Sequence, residues 1–226
     1  MNKSGWNPSA QKTVIQINST LDMLQQKSLA LWYNTVPPID EAQHHCQITW
    51  NNHVPERANC GKAFTTLDQY LHILETNSYH CLLCDGSILR ANFEFEDECL
   101  LAQNLLWWPS PYDYGSILEE GYPPVELVKE FYADPLWHKA IKMRSPIRID
   151  FDGQKNTANH PHSHLHIQNE ETRLSTNKPI CFNKFVDFIL RNFYPQFDLT
   201  FSKFDFIDYV VPELQNVAYL RSQIIV

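Results

Sequence analysis

Four of the ten histidines fall within seven residues, at His160, His162, His164 and His166. Imidazole titrates near neutrality, so it can take or give a proton, or bind a metal through a ring nitrogen. A strand alternates its faces with period two. A strand over 163–168 would therefore set His162, His164, His166 and Gln168 on one face, and Ser163, Leu165 and Ile167 on the other. The segment Ile147-Arg148-Ile149-Asp150-Phe151-Asp152 alternates in the same way, with Arg148, Asp150 and Asp152 on its polar side. If the two segments pair as a hairpin through the loop at 153–161, both must bury their apolar sides together. Their polar sides then coincide.

Three chemistries suit such a face. In metal-free phosphodiester cleavage, His164 and His166 serve as acid and base, Asp150 orients an imidazole, and Arg148 stabilises the phosphate charge. That reading needs no cofactor. The same donors admit a divalent metal through His164, His166 and Asp150, with a coordination position left open. The spacing of His162, His164 and His166 also resembles the histidine-triad family, although Ser163 stands where that family prefers an apolar residue. Against all three stands a polar sheet face that is simply solvated or paired across strands. Arg173 is a further candidate phosphate ligand. Between 139 and 148 the chain carries Lys139, Lys142, Arg144 and Arg148 and no acid, so Lys142 and Arg144 are candidate substrate-side cations leading into the site.

The six cysteines read differently. Cys81 and Cys84 follow His80 at the spacing of a zinc knuckle, but on a strand residues i and i+3 face opposite ways. They read as buried thiols, as does the weaker pattern His44-His45-Cys46. With no apolar stretch near the N-terminus and no run of about 20 apolar residues, the expectation is a cytoplasmic protein with reduced cysteines and no membrane partner.

The elements that must position these groups follow from periodicity. Over 9–33, Val14, Ile17, Leu21, Leu24 and Leu31 predict one long amphipathic helix ended by Pro37-Pro38. A short strand is expected at 47–50 and a second helix at 66–76, capped by Thr65 or Thr66. Strands follow at 79–84, 88–95 and 99–108, with Asp85-Gly86 marking the first turn. A helix is expected at 125–131, extending as a candidate through 135–142. Strands at 147–152, 163–168 and 172–175 come next, then a helix at 182–194 striped by Phe182, Phe185, Val186, Ile189 and Phe193. The fold class is α+β, an antiparallel sheet with a long N-terminal helix and a C-terminal helix packed on it. The 226 residues form one domain, with 1–9 as a loose arm.

Composition narrows the function. Six glycines leave no Gly-rich phosphate loop and no GxSxG elbow. The net charge of −8 argues against a protein that binds nucleic acid over its whole surface. The stretch 85–134 holds eleven acids against two bases and is a candidate partner-binding lobe, as is the aromatic C-terminal tail.

The string His160-Pro161-x-Ser163-His164-Leu165-His166-Ile167 resembles an uncharacterised family of bacterial proteins known as a domain of unknown function. Arg148-x-Asp150, Arg173, Asp85-Gly86-Ser87 and 188–194 share in the resemblance, which covers most of 79–195. It implies a bacterial cytosolic protein from the defence or toxin repertoire. It also favours Ser163, His164 and His166 over His162. The expected function is a phosphodiester-cleaving enzyme, a nuclease acting on nucleic acid or a nucleotide. The alternative is a non-catalytic subunit of a defence complex.

Overall fold

The computed structural model describes residues 8–39, 44–53, 64–114, 121–136, 141–168, 171–197, 199–213 and 223–224. The expected α+β class holds. Helix α1 (Pro8–Gln26) buries Ala10, Val14, Ile17, Leu21 and Leu24, spaced alternately four and three residues apart. It is shorter than the periodicity predicts, because Leu31 lies in strand β1 (Ala30–Tyr33). Before Pro37 is reached, Ser28 has already turned the chain at φ 57°. The amide of Leu29 donates to the carbonyl of Leu24 (2.8 Å) and that of Ser28 to Gln25 (3.0 Å). This is a Schellman stop with serine where glycine is usual, and Leu29 and Leu24 are both fully buried beside it. Helix α2 (Leu67–Glu75) starts with a capping box between Thr66 and Gln69 and stops in the same way at Asn77, φ 52°.

Strands β2 (His45–Ile48), β3 (Cys81–Leu83), β4 (Ile88–Glu96), β5 (Cys99–Trp108), β6 (Ile147–Asp152), β7 (Ser163–Ile167), β8 (Leu174–Thr176) and β9 (Gln223–Ile224) complete one sheet. Its order is β1-β3-β4-β5-β6-β7-β8-β9, with β2 pairing the far end of β4. All pairs are antiparallel except β8–β9, which is parallel. Helices α3 (Pro124–Ala133) and α4 (Phe182–Phe193) and a 3-10 turn at Lys203–Asp205 complete the described elements. Pro135 and Leu136 lie in a turn after α3. The expected continuation beyond them falls partly outside the described residues.

The sheet has two unlike faces. On one, Leu89, Ala91, Phe93, Leu105, Ile149, Phe151 and Leu165 pack under α1 and α4 in the main core. The other face is divided. Leu82, Ile88, Leu106 and Trp108 meet α2 and α3 in a second core. Beyond Leu106 the same face turns polar, at Arg90, Asn92, Asn104, Arg148, Asp150, His164 and His166. Phe193, expected in the buried stripe of α4, is instead half exposed and stacks on Trp107 at 4.3 Å.

Because Ser28 holds a left-handed conformation that suits glycine, Ser28→Gly is expected to raise the unfolding free energy by up to about 1 kcal/mol, and Ser28→Val to lower it. Urea denaturation of the two variants checks both signs.

A buried histidine–aspartate–arginine site on the sheet

The β6–β7 hairpin has the register that the pleat argument requires. Arg148 stands opposite His166, Ile149 opposite Leu165, and Asp150 opposite His164. Asp150 also stands opposite Asn104 of β5. The Asn104 Nδ2 donates to Asp150 Oδ1 at 2.6 Å. From Arg148, Nε reaches both carboxylate oxygens at 3.0 Å and Nη2 reaches Oδ2 at 2.7 Å. The guanidinium lies 4.7 Å from the ring centre of Phe64. His166 Nε2 is 3.1 Å from Asp150 Oδ2 and 3.0 Å from Arg148 Nη2. His164 Nδ1 is 2.7 Å from the carbonyl of Pro161, and its Nε2 is 3.9 Å from Asp150 Oδ2.

The polar face is not solvated. Arg148, His164 and His166 are 5%, 2% and 1% exposed. Burial pushes His164 down to about 4 against the pull of Asp150, so its ring is neutral at physiological pH. A carbonyl can only accept, so the single proton of that neutral ring sits on Nδ1, and Nε2 presents a lone pair toward Asp150. For Asp150, burial favours the protonated acid, but the hydrogen bond from His166 and the charge of Arg148 outweigh it and hold the carboxyl below its ordinary value. His160 joins from the loop, where a backbone bridge to Thr157 folds it back over the strand. Its ring centre is 4.8 Å from that of His164, which is 4.8 Å from that of His166. His160 is also lowered, by burial and then by Arg173.

These groups line a cleft of about 470 Å³ with Trp50, His53, Asn92, Asp152, Lys155, Glu171 and Arg173. Of the residues expected at the site, Arg148, Asp150, His164, His166 and Arg173 therefore come together. Ser163 does not: it is fully buried on the α1/α4 side, its hydroxyl 2.6 Å from that of Thr176, because β7 alternates. His162 turns instead against Phe151. Lys142 and Arg144 do not line the cleft either. They pair with Asp113 (2.6 Å) and Asp85 (3.0 Å), so the basic stretch is used internally, and Lys139 lies outside the described residues.

Where it is described, the acidic stretch belongs to the body of the fold. It runs through β4, β5 and α3, and Asp97 and Glu94 pair with His44 and His45 at 2.7 and 2.8 Å. The tail is part of the fold where it is described. Tyr209 packs on Phe93 and Phe95, and β9 pairs with β8. Cys81 is buried with its thiol pushed well up, as expected of an inert cysteine, while Cys60 lies outside the described residues. Sequence reasoning missed Asn104, Phe64 and Lys155. It also missed the fully buried Arg90, whose guanidinium lies 3.5 Å from the ring centre of Trp50. The polar alternation of β4 and β5 carried a signal for Asn104, but only the pairing of β5 with β6 gives it meaning.

Fold and site together define a layered α+β protein with a buried His–His–Asp–Arg cluster in a sheet-face cleft. Over residues 31–217 the chain matches a family described as an uncharacterized conserved protein (DUF2290), and it belongs to that family. No curated protein and no solved structure matches it. Among the described residues no helix is long and apolar enough to cross a membrane.

The lowered His164 has a signed consequence. Unfolded, it binds a proton below about pH 6.5; folded, only below about 4. Its stabilisation is complete above pH 6.5 and is lost as pH falls to 4, about 3 kcal/mol in all. His80, pushed to about 3 by burial and then by Arg90, adds a slope of the same sign. Urea unfolding of chelator-treated protein from pH 7 to 4 should show this loss, and His164→Gln should flatten part of it.

Proposed function

We propose that this chain is a phosphodiester-cleaving enzyme acting on nucleic acid or a nucleotide in the cytoplasm, within a bacterial defence or toxin system. The observation that carries the chemistry is the lone pair of His164 Nε2, held by a fixed tautomer beside Asp150 in a cleft that also presents Arg173 and Lys155. That lone pair is the group of the cluster left to act on an attacking water, directly or through a bound ion. Asp150, anchored by Arg148 and Asn104, stabilises the positive charge that develops beside it. His166 is locked against Asp150 and acts as a positioning residue. His160, partly exposed at the same cleft, is placed to protonate a leaving oxygen. Arg173 meets the phosphate; its Nε is buried without a hydrogen-bond partner among the described residues. The defence or toxin setting rests on the family resemblance alone.

A second reading has one observation in its favour. Arg148 and Asn104 both donate to the Asp150 carboxylate, so the cluster would also serve as the structural brace of a non-catalytic subunit.

The test is turnover of single-stranded RNA, single-stranded DNA and bis(p-nitrophenyl) phosphate, with and without added divalent ion. His164→Ala is expected to lower the rate about 10²–10⁴-fold with the fold intact by circular dichroism. Arg173→Ala is expected to act mainly on KM. Equal rates for His164→Ala and wild type, or no turnover of any of the three substrates, would overturn the enzyme reading.

A further inference from the structure

We propose that Asp150, His164 and His166 form a binding site for one divalent transition-metal ion of zinc or manganese type. The site stands on geometry; only its use in phosphodiester cleavage rests on the reading above.

The first argument is the proton inventory. The Pro161 carbonyl takes the Nδ1 proton of His164, so Nε2 is a bare lone pair facing the Asp150 carboxylate across 3.9 Å. That gap is too long for a hydrogen bond, and the side chain is nearly fully buried. Two acceptor atoms facing each other in a buried site lack a cation between them.

His166 poses a second conflict. Its Nε2 touches both Arg148 Nη2, which can only donate, and Asp150 Oδ2, which as a carboxylate can only accept. A neutral ring satisfies one of these contacts and leaves the other opposed. A cation shared by Nε2 and Oδ2 removes the opposition and leaves Arg148 on Asp150.

The spacing is suitable. Ligand atoms about 2.0–2.2 Å from a tetrahedral ion lie about 3.3–3.6 Å apart. The Asp150–His166 and Asp150–His164 separations, 3.1 and 3.9 Å, bracket that value, and all three ligand atoms lie within 4.8 Å of one another. Two imidazoles and one carboxylate favour transition ions over magnesium or calcium. The supporting contacts are present as well. Pro161 fixes the tautomer of His164, and Asn104 and Arg148 orient the Asp150 carboxylate, whose Oδ2 the ion would share with Arg148.

Charge supplies the last argument. Arg148, Lys155 and Arg173 at the cleft are cancelled by Asp150, Asp152 and Glu171, so these side chains together give the cleft no net attraction for phosphate. A divalent ion makes it positive and polarises a phosphoryl oxygen or a water in the remaining position.

The full-length protein, stripped with chelator and dialysed, is titrated with Zn²⁺ and Mn²⁺ by calorimetry, and with Co²⁺ by visible absorption. One ion per chain is expected. His164→Ala should abolish binding, Asn104→Ala should weaken it about 10–100-fold, and the surface control His44→Ala should leave it unchanged. Failure of all three ions to bind stoichiometrically, or binding unchanged in His164→Ala, overturns the site. Full phosphodiester turnover in excess chelator overturns a metal role while sparing the proposed function. Stoichiometric binding lost in His164→Ala without turnover establishes the site and removes that function.

Discussion

The constraint on which the rest depends is the antiparallel register of β6 and β7. Ile149 and Leu165 must share the main core, and a strand has only two faces. Burying one side of the hairpin therefore stacks Arg148 on His166 and Asp150 on His164, with no freedom to scatter them. A slip of one residue in either strand would drive its polar pair, Arg148 and Asp150 or His164 and His166, into the α1/α4 core, at a cost that no native domain sustains. The register of the site is thus enforced by hydrophobic burial on the side of the sheet away from it.

What turns this polar row into a chemical site is the second layer. Cross-strand ionisable pairs on an open sheet face are weak and wet. Here Phe64, Trp50 and the loop carrying His160 close over the row, so that the groups must satisfy one another or remain unpaired. Asp150 is held from three directions, by Asn104, Arg148 and His166. His164 is not, and its tautomer is dictated by a backbone carbonyl outside the cluster. The asymmetry between a satisfied carboxylate and an unsatisfied imidazole is the feature that points to chemistry rather than to bracing alone.

The two arginines mark where the sheet face changes character. Arg90 and Arg148 lie in the row of Leu106, where the second core ends, and each is covered by an aromatic ring. A guanidinium suits such a border, because its flat faces pack like an apolar group while its edge donates hydrogen bonds. The same face can therefore carry a hydrophobic core under α2 and α3 and a polar cleft beside it without a gap in packing.

Period-two alternation, turn dipeptides and the apolar stripe of α4 are local features, so the strands β4 to β7, the hairpin face and the grouping of Arg148, Asp150, His164 and His166 were readable from the amino-acid order. Local signals misled where a residue did an unusual job. Ser28 and Asn77 stop helices in place of glycine, so α1 ran too long on paper. Ser163 belonged to a recognisable string yet faces the opposite core. Lys142 and Arg144 looked like a basic approach to the site, but their charges are neutralised by Asp113 and Asp85, which are far from them in sequence. The partnership of Asn104 with Asp150, the burial of the histidines and the cover from Phe64 and Trp50 arise between segments separated by 40 to 100 residues. The order of residues determines which side of a strand a group takes, because that is set by the pleat. Only the tertiary structure decides what stands opposite and whether water is excluded, because those depend on which distant elements meet.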